Sequence, residues 1–173
     1  MLSEEAFMGN HVIEIIYGSI VTEMLGESKG VDEVNQALKE TGFEIGERIL
    51  DEYAQKNSIK GCKSFKDVGE KVVEAFLKIQ GTRSTFSNFE LQEFVIQFEE
   101  NPMMTFIELE TLPTGLEYSS IYNGMLEGAL SSLNYDTTSS LTTNIKGPSE
   151  TPGMTLKVTL NGIIKRKLIN YDD

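Results

Sequence analysis

The side chain with the most chemical potential in this chain is its only cysteine, Cys62, set in Ser58-Ile59-Lys60-Gly61-Cys62-Lys63-Ser64. A thiol reacts as the thiolate, and its pKa falls beside cations and near the N-terminus of a helix. Both influences are close in sequence. Lys56, Lys60, Lys63 and Lys66 crowd one stretch of an otherwise acidic chain, and Ser64 with Asp67 three residues on reads as the N-cap of the next helix. The setting suggests a modification site, against the plainer use of a lone cysteine as a small buried hydrophobe.

Other chemistry is sparse. His11 is the sole histidine and could serve Cys62 as a general base, which would make a thiol enzyme, but no third group orients it. The carboxylate pairs Asp51/Glu52 and Glu99/Glu100 are adjacent in sequence and point apart, so they are no positioned acid and base. One Cys and one His cannot build a zinc or iron site, and no metal is expected. There is no phosphate-cradling glycine loop, dinucleotide fingerprint or nucleophile elbow. Catalysis by the isolated chain is not expected.

The elements that must hold Cys62 are helices. From Ala6 to Leu25 the apolar residues leave only a narrow polar stripe through Glu14, Gly18 and Thr22, the pattern of a largely buried helix. A second helix carries Val31, Val34, Leu38, Ile45, Ile49 and Tyr53 at three- and four-residue spacing. Gly42 and Gly46 lie four apart inside it, pointing to close contact with another backbone or a ligand, or to a kink. The third helix, Ser64 to Gln80, turns Val68, Val72, Val73 and Phe76 inward.

Then the period changes. Phe94, Ile96 and Phe98 alternate with Val95, Gln97 and Glu99 as a half-buried strand, and Asn101-Pro102 turns the chain into Met103 to Leu109, which reads as its antiparallel partner. Tyr118 to Leu133 is helical again, with Gly124 and Gly128 four apart, and Thr137 to Ile145 and Met154 to Leu160 read as a second strand pair. The sum is an α+β domain, helices packed with a small antiparallel sheet.

With 173 residues the chain fits one domain, 1–173. A net charge of -12, with no Lys or Arg between Leu91 and Ser120, argues against nucleic acid, so partners are expected to be proteins or apolar ligands. A single cysteine forms no internal disulfide and fits a reducing compartment. Glu14 and Glu23 interrupt the apolar run Val12 to Leu25, which excludes a signal peptide or membrane span there and suggests a cytoplasmic protein.

Several segments carry a resemblance. Tyr17-Gly18, Asp32-Glu33-Val34-Asn35 and Gly42-Phe43-Glu44-Ile45-Gly46-Glu47-Arg48 are followed by Cys62 with Phe65, then by Asn101-Pro102 with Phe106-Ile107-Glu108-Leu109. Tyr118-Ser119 leading to Gly124-Met125-Leu126-Glu127-Gly128-Ala129-Leu130 completes the set. In this order they resemble the transport protein particle (TRAPP) subunit family, and within it the S-acylated core subunits. The resemblance implies an α+β domain that dimerises through its helices, as a homodimer or with related subunits. It implies a core subunit of a vesicle-tethering complex in ER-to-Golgi transport, peripheral on Golgi and ER-derived membranes, that supports nucleotide exchange on a Rab-type GTPase only as part of the complex.

It also implies roles for single residues. Cys62 would carry a covalent palmitate in an internal apolar channel, for which Val68, Val72, Val73, Phe76, Gly42 and Gly46 are the candidate walls. A helix of about 17 residues is roughly 25 Å long, enough to line such a chain. At roughly 0.8 kcal/mol per buried methylene, an enclosed acyl group would contribute on the order of 10 kcal/mol gross. Two departures stand out. Either Ala75 or Phe76 occupies the place where the family keeps a small residue beside the channel, and Phe89 stands where tryptophan is expected. At the C-terminus, Ile169, Tyr171, Asp172 and Asp173 match the positions that reach the GTPase. The competing reading is a carrier or sensor domain holding a free apolar ligand.

Overall fold

The architecture is taken from a computed structural model, which describes residues 4–28, 30–56, 64–80, 86–105, 107–144 and 151–165. Three helices come first: α1 (Glu4–Glu27), α2 (Val31–Lys56) and α3 (Phe65–Gln80). A hairpin β1 (Phe86–Phe89) and β2 (Glu93–Phe98), helix α4 (Ser120–Ser132) and a hairpin β3 (Tyr135–Asn144) and β4 (Gly153–Ile163) complete it. The four strands form one antiparallel sheet in the order β1-β2-β4-β3, so the chain is α+β as its sequence implies.

One face of the sheet is apolar. Phe94, Ile96 and Phe98 of β2 stand opposite Val158, Leu156 and Met154 of β4, and all six are buried. Against this sheet lies α4, buried along almost its whole length, and α2 packs on the far side of α4. A helix enclosed that way has to be apolar and small all round, which Ile121, Gly124, Met125, Gly128 and Ala129 supply.

Helix α3 begins where Ser64 and Asp67 predict. The Asp67 amide donates to Ser64 Oγ at 3.1 Å and the Ser64 amide to Asp67 Oδ2 at 3.2 Å, a reciprocal pair that satisfies two donors at the helix start. Phe65 then anchors it on the sheet, its ring 5.8 Å from Phe94 and 5.5 Å from Tyr135.

Two sequence expectations are corrected, and one alternative is closed. Met103 to Leu109 is not a strand: Pro102–Met104 and Leu109–Thr111 form single 3-10 turns. Asn101 causes the first, because its side-chain Oδ1 accepts from the Met103 amide while its carbonyl accepts from Met104. The true partner of β2 is β1, whose four residues Phe-Ser-Asn-Phe are too few to show alternation. Helix α2 runs unbroken through Gly42 and Gly46, because α4 fills the space the missing side chains leave. Finally, α1 is not largely buried. Tyr17 and Val21 enter the core, but Val12, Ile13, Ile15, Ile16 and Ile20 are 42 to 60 % exposed.

Candidate assembly face and interior void

Gly42, Gly46, Gly124 and Gly128 bring α2 and α4 into backbone contact. A Cβ added at Gly42 would lie 2.2 Å from the Ile121 carbonyl oxygen, and one at Gly46 2.0 Å from that of Met125. The relation is reciprocal: Gly124 would meet the Lys39 oxygen at 2.0 Å and Gly128 the Phe43 oxygen at 2.0 Å. Of the two uses the sequence left open for Gly42 and Gly46, the structure realises contact with another backbone. On the flank of this contact Glu127 accepts from the Ser139 amide and hydroxyl at 2.8 and 2.7 Å and pairs with Lys39 at 3.0 Å, tying α2, α4 and β3 together.

The candidate channel residues on α3, Val68, Val72, Val73 and Phe76, are all buried. Val72, Phe76 and Gly46 border one interior void of about 10 Å³, while Gly42, Val68 and Val73 do not. Ala75 and Phe76 both face it, so either can be the residue beside a channel. The Phe76 ring is fixed edge-on against Tyr122 at 5.5 Å and Phe98 at 6.4 Å. A void this size is close to the minimum for one water, so an apolar guest enters only if side chains yield. Sequence reasoning did not identify Ile49, Leu50, Met125, Leu126 and Ala129, which complete the void. Nothing local in the sequence sets these apart from other core residues.

Ile49 and Met125 have a second exposure. They also line an open apolar groove of about 330 Å³ between α1, α2 and α4, whose other wall is Ile13, Ile16, Ile20 and Met24. Beneath it the Tyr17 hydroxyl donates to the Tyr118 carbonyl oxygen, and the two rings meet edge-on at 5.0 Å. Burial, reinforced by the phenols of Tyr118 and Tyr122, raises the Tyr17 pKa well above the usual phenol value. Burial and then Glu14 raise that of Tyr118. Both phenols therefore stay neutral, and that of Tyr17 acts as a fixed donor. The groove was missed because α1's all-round apolarity was read as burial within one chain. The same apolarity is equally the signal of a helix completed by a partner.

Cys62 and the tail positions Ile169, Tyr171, Asp172 and Asp173 lie outside the described residues, as does the side chain of His11. Among the described residues no group of three or more His, Cys, Asp or Glu could hold a metal, and no helix is long and apolar enough to cross a membrane. What this arrangement can do is bind apolar surface: a helix along α1, or a guest between α2, α3 and α4.

Comparison with known proteins agrees with this geometry. The family model described as "Transport protein particle (TRAPP) component" matches residues 13–160. The Transport protein particle subunit bet3 of Schizosaccharomyces pombe is 29 % identical over 165 residues, covering 92 % of this chain and 87 % of that protein. Trafficking protein particle complex subunit 3 of Dictyostelium discoideum is 28 % identical over 127 residues, 71 % of this chain and 68 % of its own. Among solved structures, a trafficking protein particle complex subunit 3 from Naegleria fowleri, covalently bound to palmitic acid, matches with a TM-score of 0.75 at 27 % identity. That match covers 92 % of this chain and 99 % of the other.

Proposed function

The chain belongs to the transport protein particle (TRAPP) component family, and from that premise we propose that it is a non-enzymatic core subunit of a vesicle-tethering complex. The observation that carries this reading is the α1 face: five aliphatic side chains, Val12, Ile13, Ile15, Ile16 and Ile20, stand in solvent, three of them beside an apolar groove. A patch of that kind marks a protein interface. Membrane association, in this reading, comes from partners and from a lipid held inside the domain.

The lipid is a palmitoyl thioester on Cys62. The covalent palmitate of the Naegleria relative supports this, as does the place of the only cysteine, two residues before the cap of α3. A C16 chain entering between α2, α3 and α4 must displace side chains around the void. Gly42 and Gly46 hold the two backbones at contact, so Val72, Phe76, Ile49 and Met125 are the groups that move. The tail residues Ile169, Tyr171, Asp172 and Asp173 are the proposed contacts to a Rab-type GTPase, whose nucleotide exchange the whole complex promotes. The acidic tip would disfavour phosphate nearby by charge repulsion.

Purification of the native assembly tests the proposal. Related TRAPP subunits recovered with the chain in fixed ratio are the expected result, and their absence refutes it. Intact mass of the same sample, before and after hydroxylamine and beside Cys62→Ser, tests the thioester. An acyl increment that hydroxylamine removes and Cys62→Ser lacks is expected. The groove also favours a second reading, a carrier of a free apolar molecule. A mass increment seen under native conditions and lost on denaturation, without any thioester, would favour that one.

A further inference from the structure

Among the described residues the sheet has a long open edge. In the order β1-β2-β4-β3, the strand Tyr135–Asn144 pairs with β4 on one side, and no described strand meets its other side. Such an edge offers a row of free amides and carbonyls to any extended chain, and proteins commonly blunt it with lysine, proline or a bulge. Along most of β3 these devices are missing. From Thr137 to Asn144 it contains no charged residue and no proline, and its register shift lies before Thr137.

Glu127 stands in the way instead. The Ser139 amide donates to Glu127 Oε1 at 2.8 Å, and the Ser139 hydroxyl donates to the same oxygen at 2.7 Å. That amide therefore points away from β4, and because the bonding direction alternates along a strand, the amides of Leu141 and Thr143 share its side. Glu127 reaches the edge from α4, is 12 % exposed and pairs with Lys39 at 3.0 Å. A bond to an ionised acceptor is roughly twice as strong as one to a neutral carbonyl, so an arriving strand does not displace the carboxylate from Ser139.

The edge is suited to its own copy. In an antiparallel pair about a twofold axis through Leu141, that residue meets Leu141 of the other copy, and Ser139 meets Thr143 at both ends. The half-buried Leu141 side chains then cover each other, Ser140 lies opposite Thr142, and no like charges meet along the two strands. In this register each Glu127 occupies an amide that the pair requires.

We propose that Glu127 holds the β3 edge closed, and that its withdrawal lets the β3 strands of two copies join into one antiparallel sheet. The proposal concerns a surface separate from α1.

The test is amide hydrogen exchange together with sedimentation, on the full chain in dilute and in concentrated solution. In wild type Ser139 is expected to exchange slowly and Leu141 and Thr143 fast, at either concentration. In Glu127→Ala all three are expected to exchange fast when dilute and at least roughly tenfold more slowly when concentrated, as a dimer forms. Glu127→Met keeps the bulk of the side chain without its oxygens, and replaces the alanine variant if circular dichroism shows that one unfolded. Thr143→Pro removes an outward amide and leaves the β4 ladder intact. Added to either variant, it returns Leu141 to fast exchange and the chain to wild-type sedimentation. Exchange that does not respond to concentration in the Glu127 variants overturns the proposal, as does association that survives the proline. Leu141 and Thr143 as slow as Ser139 in dilute wild type also overturn it, since the edge is then covered within one chain. Contacts at α1 move none of these amides, so the assembly reading stands or falls separately.

Discussion

Replacing Gly128 by alanine tests whether α2 and α4 are held in backbone contact. The new methyl carbon would sit 2.0 Å from the Phe43 carbonyl oxygen, 2.8 Å from its carbon and 2.9 Å from its Cα. Ordinary contact begins near 3.4 Å, so the helices must part by roughly 1.4 Å, the difference from 2.0 Å, or slide by a similar amount. Every atom met is main chain within an uninterrupted helix, so no side chain can rotate away. Overpacking of a core typically costs about 1–3 kcal/mol and occasionally more, and this case lacks the usual relief. Alanine regains up to about 1 kcal/mol of helix propensity. We expect a net loss of about 2 kcal/mol, or a melting temperature lower by about 4–8 °C for a chain of this size. The control is Gly26→Ala in α1, where an added Cβ meets nothing within 4 Å. There the propensity gain stands alone and stability rises by up to about 1 kcal/mol. Urea unfolding gives both signs from the shift in midpoint at constant m. A Gly128→Ala midpoint at or above that of wild type would refute the close-contact account of all four glycines.

Two further substitutions probe single hydrogen bonds. Tyr17→Phe leaves the buried Tyr118 carbonyl without its donor and costs about 1–3 kcal/mol in urea unfolding at pH 7. Because the folded-state pKa of Tyr17 is raised above its ordinary value of 10.0, its stabilising contribution is complete below pH 10 and declines as pH rises beyond it. The wild-type midpoint therefore falls between pH 9 and 11, and less steeply in Tyr17→Phe. A slope equal in both proteins counts against the buried phenol. Ser64→Ala removes one half of the reciprocal pair at the start of α3 and costs about 0.5–2 kcal/mol. If it leaves the midpoint unchanged, the cap is not formed in solution.

Much of the helical part was legible in the sequence because its signals are local. The Ser64/Asp67 cap, the inward row Val68, Val72, Val73 and Phe76, and the paired small residues of α2 and α4 are each defined within a turn or two. The sheet was less so. Phe94, Ile96 and Phe98 show clean alternation, but their neighbour at Phe86–Phe89 is too short to alternate, and Asn101 bends the segment after it through side-chain bonds that composition does not reveal. The candidate site was split in the same way. Spacing marked Gly46, Val72 and Phe76 as residues of packed helix faces and the resemblance made them channel candidates, whereas Ile49 and Met125, shared by the void and the groove, gain their place only when three helices converge. Periodicity also misjudged α1, since an apolar surface reads the same whether its cover is the same chain or another.

The account rests on α1 as the surface through which this subunit enters its complex. Ile16→Asp/Ile20→Asp changes two exposed groove residues and leaves Tyr17 and Val21 in the core untouched. Tagged wild type and variant, expressed in the native cell and recovered by affinity purification, give the comparison directly. Related subunits that accompany wild type and are lost from a folded variant are the predicted result. Equal recovery with both would contradict the account.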